Sequence, residues 1–434
     1  MRGTFTVSAI AGILYGFGVG TIVAVAMPYL EATTSFTPAQ MSALVAAAMF
    51  ASAFTTFTGG IMAEWWGRRR CIAWSSLVYA LGVPFICFSG GSFPLVFTGL
   101  LIQGLAMGLQ GIVVPLYIAE VLPPESRGRG AAFFQLFIIV GFLVSGFIGV
   151  AAAYVFGAAD SAAVDAASKA LAWRVIFSIV AIPAVALFLL SLRLAESPYW
   201  RKGGGAAAEE AGAAAAPRDP LLCRKYVVPF LLVVVLLVFH QGVGCNSVLG
   251  YSVKIFQLAG LGGAFANWAD IAFKFVMLVA TAIAVVLVER KGRRFLLLTG
   301  VSGCFIGLLG VTLVFFGIDH GVVAPSKACG IAATAFVTVF VAGFALGPGV
   351  CMWLILTEIL PGRIRAVGMG AASVADITVS TALQAMFLPF AERFGYGPMF
   401  LILLVSSVCY VLCVWMFLPE TKGKSLEEIE KFFS

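Results

Sequence analysis

Long apolar stretches, separated by short polar segments, follow one another along the whole chain. A helix that crosses a bilayer needs about 20 mostly apolar residues, and we identify twelve such stretches. The first six lie near residues 5–30, 39–62, 71–90, 93–119, 131–155 and 173–193. The second six lie near residues 226–256, 267–288, 295–317, 327–356, 366–390 and 397–418. The pattern predicts an all-α integral membrane protein with twelve transmembrane helices.

The overall composition agrees with this pattern. Apolar residues make up 61% of the 434 residues, charged residues make up only 11%, and the mean hydropathy is +1.05. A soluble domain carries about 25% charged residues, so a set of soluble domains is excluded. The nine cysteines show no zinc-ligand or disulfide spacing, which favours a packing role.

The positions of Lys and Arg indicate the orientation in the membrane. We assume an even number of spans with both termini inside. Six of the 27 Lys and Arg residues then lie outside the cytoplasmic segments, and they are Lys169, Arg174, Lys254, Lys274, Lys327 and Arg393. The other 27 − 6 = 21 fall in cytoplasmic segments. This excess follows the positive-inside rule. It predicts a multi-pass protein of the cell membrane with both termini in the cytoplasm. The net charge of +7 is then a topology signal, and we expect no nucleic-acid partner.

Three short polar motifs occur twice in the same order. Gly67-Arg68-Arg69 recurs as Gly292-Arg293-Arg294, at an offset of 292 − 67 = 225 residues. Glu120…Arg127 recurs as Glu358…Arg363, at an offset of 358 − 120 = 238 residues. Glu196-Ser197 recurs as Glu420-Thr421, at an offset of 420 − 196 = 224 residues. A duplicated membrane half with a site between the halves is typical of transporters. We predict two pseudo-symmetric six-helix bundles over 1–193 and 226–418, a cytoplasmic linker over 194–225 and a cytoplasmic tail over 419–434.

Carboxylates and arginines gather at the predicted cytoplasmic helix ends of both halves. An arginine fork pairs with a carboxylate by directional hydrogen bonds, so we predict an inter-helix latch that holds the cytoplasmic side shut while the outside is open. The alternative is positive-inside anchoring alone, since an exposed ion pair contributes only about 0–1 kcal/mol. The repetition favours the latch, with residues Glu64, Arg68, Arg69, Glu120, Arg127, Glu289, Arg293, Glu358 and Arg365.

Seven motifs together identify a family. They are the Gly-Arg-Arg turns at 67–69 and 292–294, Pro115-Leu116-Tyr117-Ile118-Ala119-Glu120 with Arg127-Gly128, Glu196-Ser197-Pro198, His240-Gln241-Gly242-Val243-Gly244-Cys245-Asn246, Gly347-Pro348-Gly349 with Trp353 and Glu358, and Pro419-Glu420-Thr421-Lys422-Gly423. In these motifs the chain resembles the sugar porter family of the major facilitator superfamily over essentially its whole length. The resemblance implies the fold of that superfamily and sugar transport.

The candidate substrate site combines amides with an aromatic residue. A sugar needs hydrogen-bonding partners for its hydroxyl groups and an aromatic face for its C–H surface. The resemblance assigns hydrogen bonding to Gln135, Gln241 and Asn246, and makes Trp353 the stacking or gating aromatic. For Gln135 and Asn246 the alternative is hydrogen bonding between helices of the bundle. The cost of polar groups in a membrane and the family position favour contact with the ligand.

Two spans are predicted to be broken near this site. On an intact helix Gln241 and Asn246 would point about 140° apart. Both can face one ligand only if the seventh span unwinds, which Gly242 and Gly244 permit. In the tenth span, the sequence Gly347-Pro348-Gly349 predicts a second break, which makes these three residues candidate gating positions. Tyr251 either closes the outer side of the site or belongs to an interfacial aromatic belt.

The chain departs from the family at several positions. Proton-coupled members carry a first-span carboxylate paired with a fourth-span Arg, where this sequence has Gly18 and Leu100. Two further positions of the sugar site differ, since His240 replaces a usual Gln and Asp376 stands where Asn is frequent, and we include both as candidate substrate-binding residues. Met277 also stands where the eighth span often has Asn. These departures put D-glucose in doubt as the substrate.

Asp376 has several possible roles inside the membrane. It lies 11 residues after Arg365, about 16 Å from the cytoplasmic helix end, while Lys274 lies 15 residues before Glu289, about 22 Å from its own helix end. The difference is within reach of a Lys side chain, so an Asp376–Lys274 pair is one interpretation. The others are Lys274 extending outward beside Asp270, and Asp376 titrating as a coupling site. His240 either takes part in that coupling or, as we favour, is a neutral hydrogen-bonding group.

The sequence therefore predicts a secondary transporter that moves a monosaccharide or polyol by alternating access. Without the first-span carboxylate, uniport is favoured over proton symport, with protons kept as a candidate co-substrate. The alternatives are a non-transporting nutrient sensor on the same fold and a carrier of a non-sugar organic solute. No metal cluster, nucleophile–base set or phosphate loop is found in the sequence, so we expect neither an enzyme nor a cofactor or metal. We expect a monomer in the lipid bilayer.

Overall fold

The computed structural model describes residues 2–122, 124–161, 163–201, 224–262, 264–361, 364–421 and 432. In this part of the chain the regular elements are helices, and twelve segments are long and apolar enough to span a membrane, which confirms the predicted number. The first six spans contain the helices Arg2–Gly16 and Ile22–Thr33, Pro38–Trp66, Arg68–Cys87, Phe93–Val121, Pro124–Phe156, and Ala166–Ile179 and Ala181–Ser191. A short helix, Pro198–Arg201, follows.

The second six spans follow the predicted linker. They contain the helices Arg224–Gly242 and Cys245–Leu258, Ala264–Lys291, Arg293–Asp319, Lys327–Leu346 and Pro348–Ile359, Arg365–Phe394, and Tyr396–Phe417. Most of the predicted linker and most of the predicted tail lie outside the described residues.

The second span shows how local sequence sets the ends of a helix. Thr37 caps its start, since the Thr37 hydroxyl accepts a bond of 3.2 Å from Gln40 N and the Gln40 amide accepts one of 2.9 Å from Thr37 N. This reciprocal pair satisfies backbone donors that a helix start leaves free, and Pro38 at the first turn needs no donor. The helix ends at Gly67, whose φ of 87° a residue with a side chain rarely adopts.

Small residues let the helices of each half approach closely. A Cβ added to Gly104 or Gly108 in the fourth span would overlap the carbonyl oxygen of Ala48 or Ser52 in the second span. The second half repeats this close contact, since a Cβ on Gly300 in the ninth span would lie 2.6 Å from the carbonyl oxygen of Gly343 in the tenth. Backbone-to-backbone packing of this kind holds membrane helices together without a hydrophobic driving force.

Four spans are interrupted. The predicted breaks are present in the seventh span between Gly242 and Cys245 and in the tenth at Gly347. Two more were not predicted, a π-helical turn at Phe17–Thr21 in the first span and a break at Val180 in the sixth. A π-helical turn holds one extra residue and often marks a functional position.

Three pairs of helices make most of the contact between the two halves in the described part of the chain. The second span packs on the eleventh, the fifth on the eighth, and Ile22–Thr33 on Cys245–Leu258. We call the side of the molecule that carries the turns at Gly67 and Gly292 the arginine side, and the opposite side the distal side. Three contacts between the halves lie on the distal side. Glu31 pairs with Lys254, the Ser42 hydroxyl accepts from Leu388 N, and the Ser145 hydroxyl accepts from Lys274. The halves are therefore held together there.

The close packing of the fourth span leads to a first prediction. We expect Gly104→Ala to lower the thermal stability of the purified protein, because its new methyl group has no space against Ala48 and overpacking costs about 1–3 kcal/mol. The control is Gly60→Ala, where an added Cβ meets nothing within 4 Å. Melting curves in detergent would measure both variants, and an equal melting temperature for the two would contradict the packing argument.

Candidate functional site

A polar cluster lies in the interior of the second half, where the seventh and eleventh spans meet. The His240 Nδ1 atom lies 3.0 Å from Asp376 Oδ1, and Gln241 Nε2 donates to Asp376 Oδ2 over 2.9 Å. Both partners are buried, with exposed fractions of 4% for His240 and 3% for Asp376. The two oxygens of the carboxylate thus bind one residue each on the neighbouring span.

The cluster continues toward the distal side through an amide ladder. Asn246 Nδ2 donates to Gln241 Oε1 at 3.2 Å and to Ser380 Oγ at 3.0 Å. Gln384 Nε2 donates to the same Ser380 hydroxyl at 3.2 Å. We call His240, Gln241, Asn246, Asp376 and Ser380 the central cluster. Ser380 and Gln384 were not predicted. Asp376, Ser380 and Gln384 follow one another at intervals of four residues, which places all three on one helix face.

The break in the seventh span brings the amides together. Gly244 has φ of 77°, in the left-handed region, and its missing Cβ would lie 2.6 Å from Leu403. The helix therefore stops at Gly242 and restarts at Cys245 with a new rotation. As predicted, Gln241 and Asn246 then face the same place, which five residues of continuous helix would forbid.

Two groups of this region are buried without a hydrogen-bond partner among the described atoms. They are His240 Nε2 and Gln384 Oε1. Leaving a buried polar atom without a partner destabilises the folded protein by about 1–3 kcal/mol. A hydrogen bond from water or from a ligand hydroxyl group removes this cost. Free hydrogen-bonding capacity beside a central cluster is what a hydroxyl-rich solute requires.

The remaining predicted ligand residues lie outside the cluster. Gln135 in the fifth span is half-buried. It lies 11 residues before Gly146, which corresponds to a rotation of about 20°, so both lie on one face. Since Gly146 packs against Asp270 and Ile271 of the eighth span, Gln135 faces the space between the halves. Trp353 in the tenth span is 43% exposed. Its part in binding stays a prediction.

The structure corrects two interpretations. Tyr251 does not belong to an interfacial belt, because it is fully buried, its hydroxyl donates to the carbonyl oxygen of Gln384 at 2.7 Å, and its ring stacks on Phe387 at 4.6 Å. The pair Asp376–Lys274 does not form either. Lys274 binds Asp270 instead, at 2.7 Å, and does not extend outward, since its side chain is fully buried. Asp376 and Lys274 lie at similar heights along their helices, but their side chains point in different directions.

The region of the missing first-span carboxylate also differs from the expectation. Gly18 lies within the π-helical turn, and the fourth-span atoms nearest to an added Cβ there belong to Met107 rather than to Leu100. The hydroxyl of Tyr79 would lie 3.4 Å from the same point. Neither Met107 nor Tyr79 is basic, so neither would form an ion pair with a carboxylate at position 18.

On the arginine side, Arg68 joins three helices of the first half. Its Nε atom donates to Glu120 Oε2 at 3.0 Å, its Nη2 atom to Glu64 Oε1 at 2.6 Å, and its Nη1 atom to the carbonyl oxygen of Ala63 at 3.1 Å. Glu120 also accepts a 2.5 Å bond from Ser197. The Arg68 side chain is only 1% exposed, whereas Glu120 is 10% and Glu64 is 45% exposed. The guanidinium group is therefore desolvated and held by several directional bonds.

The second half repeats several bonds of this cluster. Arg293 Nη2 lies 3.1 Å from Glu358 Oε1, and Thr421 donates to Glu358 Oε2 at 2.6 Å in the role of Ser197. Glu420 accepts from the backbone N–H of Arg293 at 3.0 Å. Glu420 also accepts from Arg294 N at 3.1 Å. In the first half Glu196 accepts from the equivalent Arg69 N at 3.0 Å, so Arg69 contributes through its backbone.

These bonds connect helices within one half. Each arginine-side cluster therefore braces its own six-helix bundle, and a latch function during transport stays a prediction. The predicted cluster residues Arg127, Glu289 and Arg365 have side chains outside the described part of the structure.

Comparison with known proteins shows the family. The family described as "Sugar (and other) transporter" matches residues 4–220 and 205–433. The chain therefore belongs to the sugar porter family of the major facilitator superfamily, and it is a multi-pass membrane transporter rather than an enzyme.

Individual relatives match along nearly the whole chain. A D-xylose transporter of Levilactobacillus brevis is 26% identical, over 97% of this chain and 93% of that protein. The major myo-inositol transporter of Bacillus subtilis is 28% identical, over 100% of this chain and 94% of that protein. A crystal structure of a D-xylose-proton symporter is similar with a TM-score of 0.82 and 25% identity, over 98% of this chain and 99% of that chain.

The geometry of Arg68 leads to a second prediction. We expect Arg68→Lys to destabilise the protein by about 2 kcal/mol, because an ammonium group cannot bond Glu64, Glu120 and Ala63 at once. The control is Arg70→Lys, since Arg70 is exposed two residues further along the same helix. Thermal denaturation of both variants measures the difference. A melting temperature for Arg68→Lys as high as that of Arg70→Lys would show that the fork geometry is unimportant.

Proposed function

We propose that the protein is a secondary transporter that moves a monosaccharide or a polyol across the cell membrane by alternating access, with both termini in the cytoplasm. The observation that carries this proposal is the central cluster. It concentrates amide, hydroxyl and carboxylate groups inside the membrane, between the broken seventh span and the eleventh span, next to buried polar atoms that have no partner among the described atoms. Polar groups in a bilayer are costly and usually serve a cavity or pathway.

The class of substrate follows from the hydrogen-bonding chemistry. Gln241, Asn246 and Ser380 offer both donors and acceptors within one small region, and each Asp376 oxygen has a second lone pair to offer. Such a mixed set suits hydroxyl groups, which donate and accept at once. The related D-xylose and myo-inositol transporters support a pentose, hexose or cyclic polyol as the substrate.

The transport cycle is a rocking of two braced halves. In this structure the halves are held together on the distal side, through Glu31, Ser42 and Ser145. Since the positive-inside rule makes the arginine side cytoplasmic, the structure corresponds to the state in which the outside is closed. The breaks at Gly244 and Gly347 let half-helices move around the solute without unfolding the span.

The pair His240–Asp376 is the candidate site for coupling to protons. With a neutral His240 and an ionised Asp376, the pair carries one negative charge inside the membrane, and it becomes neutral when it binds one proton. The missing first-span carboxylate favours uniport, whereas this pair favours proton symport, which the related D-xylose-proton symporter performs.

Counterflow in proteoliposomes tests the transport function. We expect vesicles loaded with one unlabelled pentose, hexose or inositol to accumulate the labelled form of the same solute transiently, without a proton gradient. The control is Gln241→Ala, which removes the amide that joins Asp376 to Asn246 and should raise the half-saturating concentration about tenfold or more. Exchange of a drug or an organic acid, with none of any sugar or polyol, would remove the proposed substrate class. Absence of any exchange would favour a sensor.

The pH dependence of uptake tests coupling. If the His240–Asp376 pair carries the proton, uptake by the wild-type protein should increase as the outer pH falls, because protons are then a co-substrate. Asp376→Asn should remove this dependence, because an amide binds no proton. The matched control is His320→Gln, since His320 is the second of only two histidines and is exposed. An unchanged pH profile in Asp376→Asn would reject the coupling role and support uniport.

A further inference from the structure

A second buried ion pair lies in the eighth span, away from the central cluster. Lys274 Nζ donates to Asp270 Oδ2 at 2.7 Å, and both side chains are 0% exposed. Ser252 of the seventh span donates to the other carboxylate oxygen of Asp270 at 2.6 Å. Lys274 is 10 residues from the start of Ala264–Lys291, which places the pair about 15 Å from the distal end of that helix.

This pair faces the other half of the molecule. Lys274 Nζ lies 3.4 Å from the hydroxyl of Ser145 in the fifth span. Next to it, a Cβ added to Gly146 would lie 3.0 Å from Asp270 Oδ2 and 2.9 Å from Ile271 Cγ1. The two charges therefore lie within the distal interface between the halves, and only a glycine leaves enough room for them.

The energy of such a pair depends on whether water can reach it. Two charges lose their hydration when they are buried, and replacing a buried ion pair by apolar residues of similar size is often stabilising. Ionisable side chains inside a membrane are for this reason rare, and by default they indicate a function. The cost is present while the fifth and eighth spans are in contact. It falls when these spans separate and water enters.

We propose that the Asp270–Lys274 pair drives opening of the distal side by opposing dry closure of the interface between the fifth and eighth spans. When the halves separate there, Lys274 exchanges Ser145 for water while it keeps Asp270 as its partner. The pair thereby limits how stable the closed state can become. This inference rests on the proposed alternating access, and it assigns Asp270 and Lys274 to the conformational equilibrium rather than to substrate binding.

The proposal has a signature that a purely structural ion pair lacks. Removing one charge, in Asp270→Asn or Lys274→Met, leaves the other charge dry and alone, so the closed state becomes less stable. Removing both, in the double variant Asp270→Leu with Lys274→Met, takes away the cost of dry closure. The single variants should therefore shift the protein toward the distal-open state and the double variant toward the distal-closed state.

The double variant leaves the neighbouring polar groups satisfied. The Ser252 hydroxyl keeps its bond to the carbonyl oxygen of Leu249 at 3.1 Å, and the Ser145 hydroxyl keeps its bond to that of Phe142 at 2.7 Å. Among the contacts of the described residues, the double variant therefore leaves neither serine hydroxyl newly unpaired.

Hydrogen–deuterium exchange of the protein in lipid nanodiscs tests the proposal without any substrate. We expect the segments 142–150 and 267–274 to exchange about tenfold more slowly in the double variant than in the wild-type protein, and faster in either single variant. The measurement is independent of counterflow, so failure of this proposal and failure of the transport function can be told apart.

A matched control uses the other distal ion pair, Glu31–Lys254, whose side chains are 34% and 19% exposed. Water reaches this pair in the closed state, so the double variant Glu31→Gln with Lys254→Gln should not slow exchange. Exchange in Asp270→Leu with Lys274→Met that is as fast as in the wild-type protein, or faster, would overturn the proposal. Equal slowing in the control would overturn it too. If the single variants fail to fold, the double variant still decides.

Discussion

A charge inside a bilayer must be paired or must reach water, and this requirement positions the chemically active side chains of this protein. Arg68, with a side chain that is 1% exposed, is surrounded by carboxylate and carbonyl oxygens. Asp376 binds His240 and Gln241, and Asp270 binds Lys274 and Ser252. Since each of these pairs carries a desolvation cost, each lies where a partner from another helix can stabilise it.

The three pairs differ in what they join, and this difference separates their roles. The Arg68 cluster and its counterpart at Arg293 connect helices within one half, so they make each half rigid. The central cluster joins the seventh and eleventh spans around free hydrogen-bonding capacity. The Asp270–Lys274 pair lies against the other half, through Ser145. Rigid halves confine motion to the interface between them, where small changes in hydration change the equilibrium.

The duplicated sequence explains why the two arginine-side clusters are so similar. Gly67 and Gly292 adopt φ of 87° and 90°, and in each case an added Cβ would lie 2.6 Å from a carboxylate oxygen, of Glu196 or Glu420. A side chain is excluded twice at each position, by the backbone angle and by the carboxylate. The sequence therefore allowed the repeat, the helix ends and most of the ion partners to be predicted. It did not reveal that Ser197 and Thr421 complete the two clusters.

The number of spans, the repeat and the breaks at Gly244 and Gly347 were determined by the sequence alone, because bilayer thickness sets helix length and because glycine and proline act on their local backbone. The partners of Asp376 and Lys274 were decided only by the tertiary structure. Position along a helix gives the height of a side chain in the membrane, but contact also requires a direction around the helix axis. That direction depends on how neighbouring helices rotate when they pack, and on interruptions such as the π-helical turn at Phe17–Thr21.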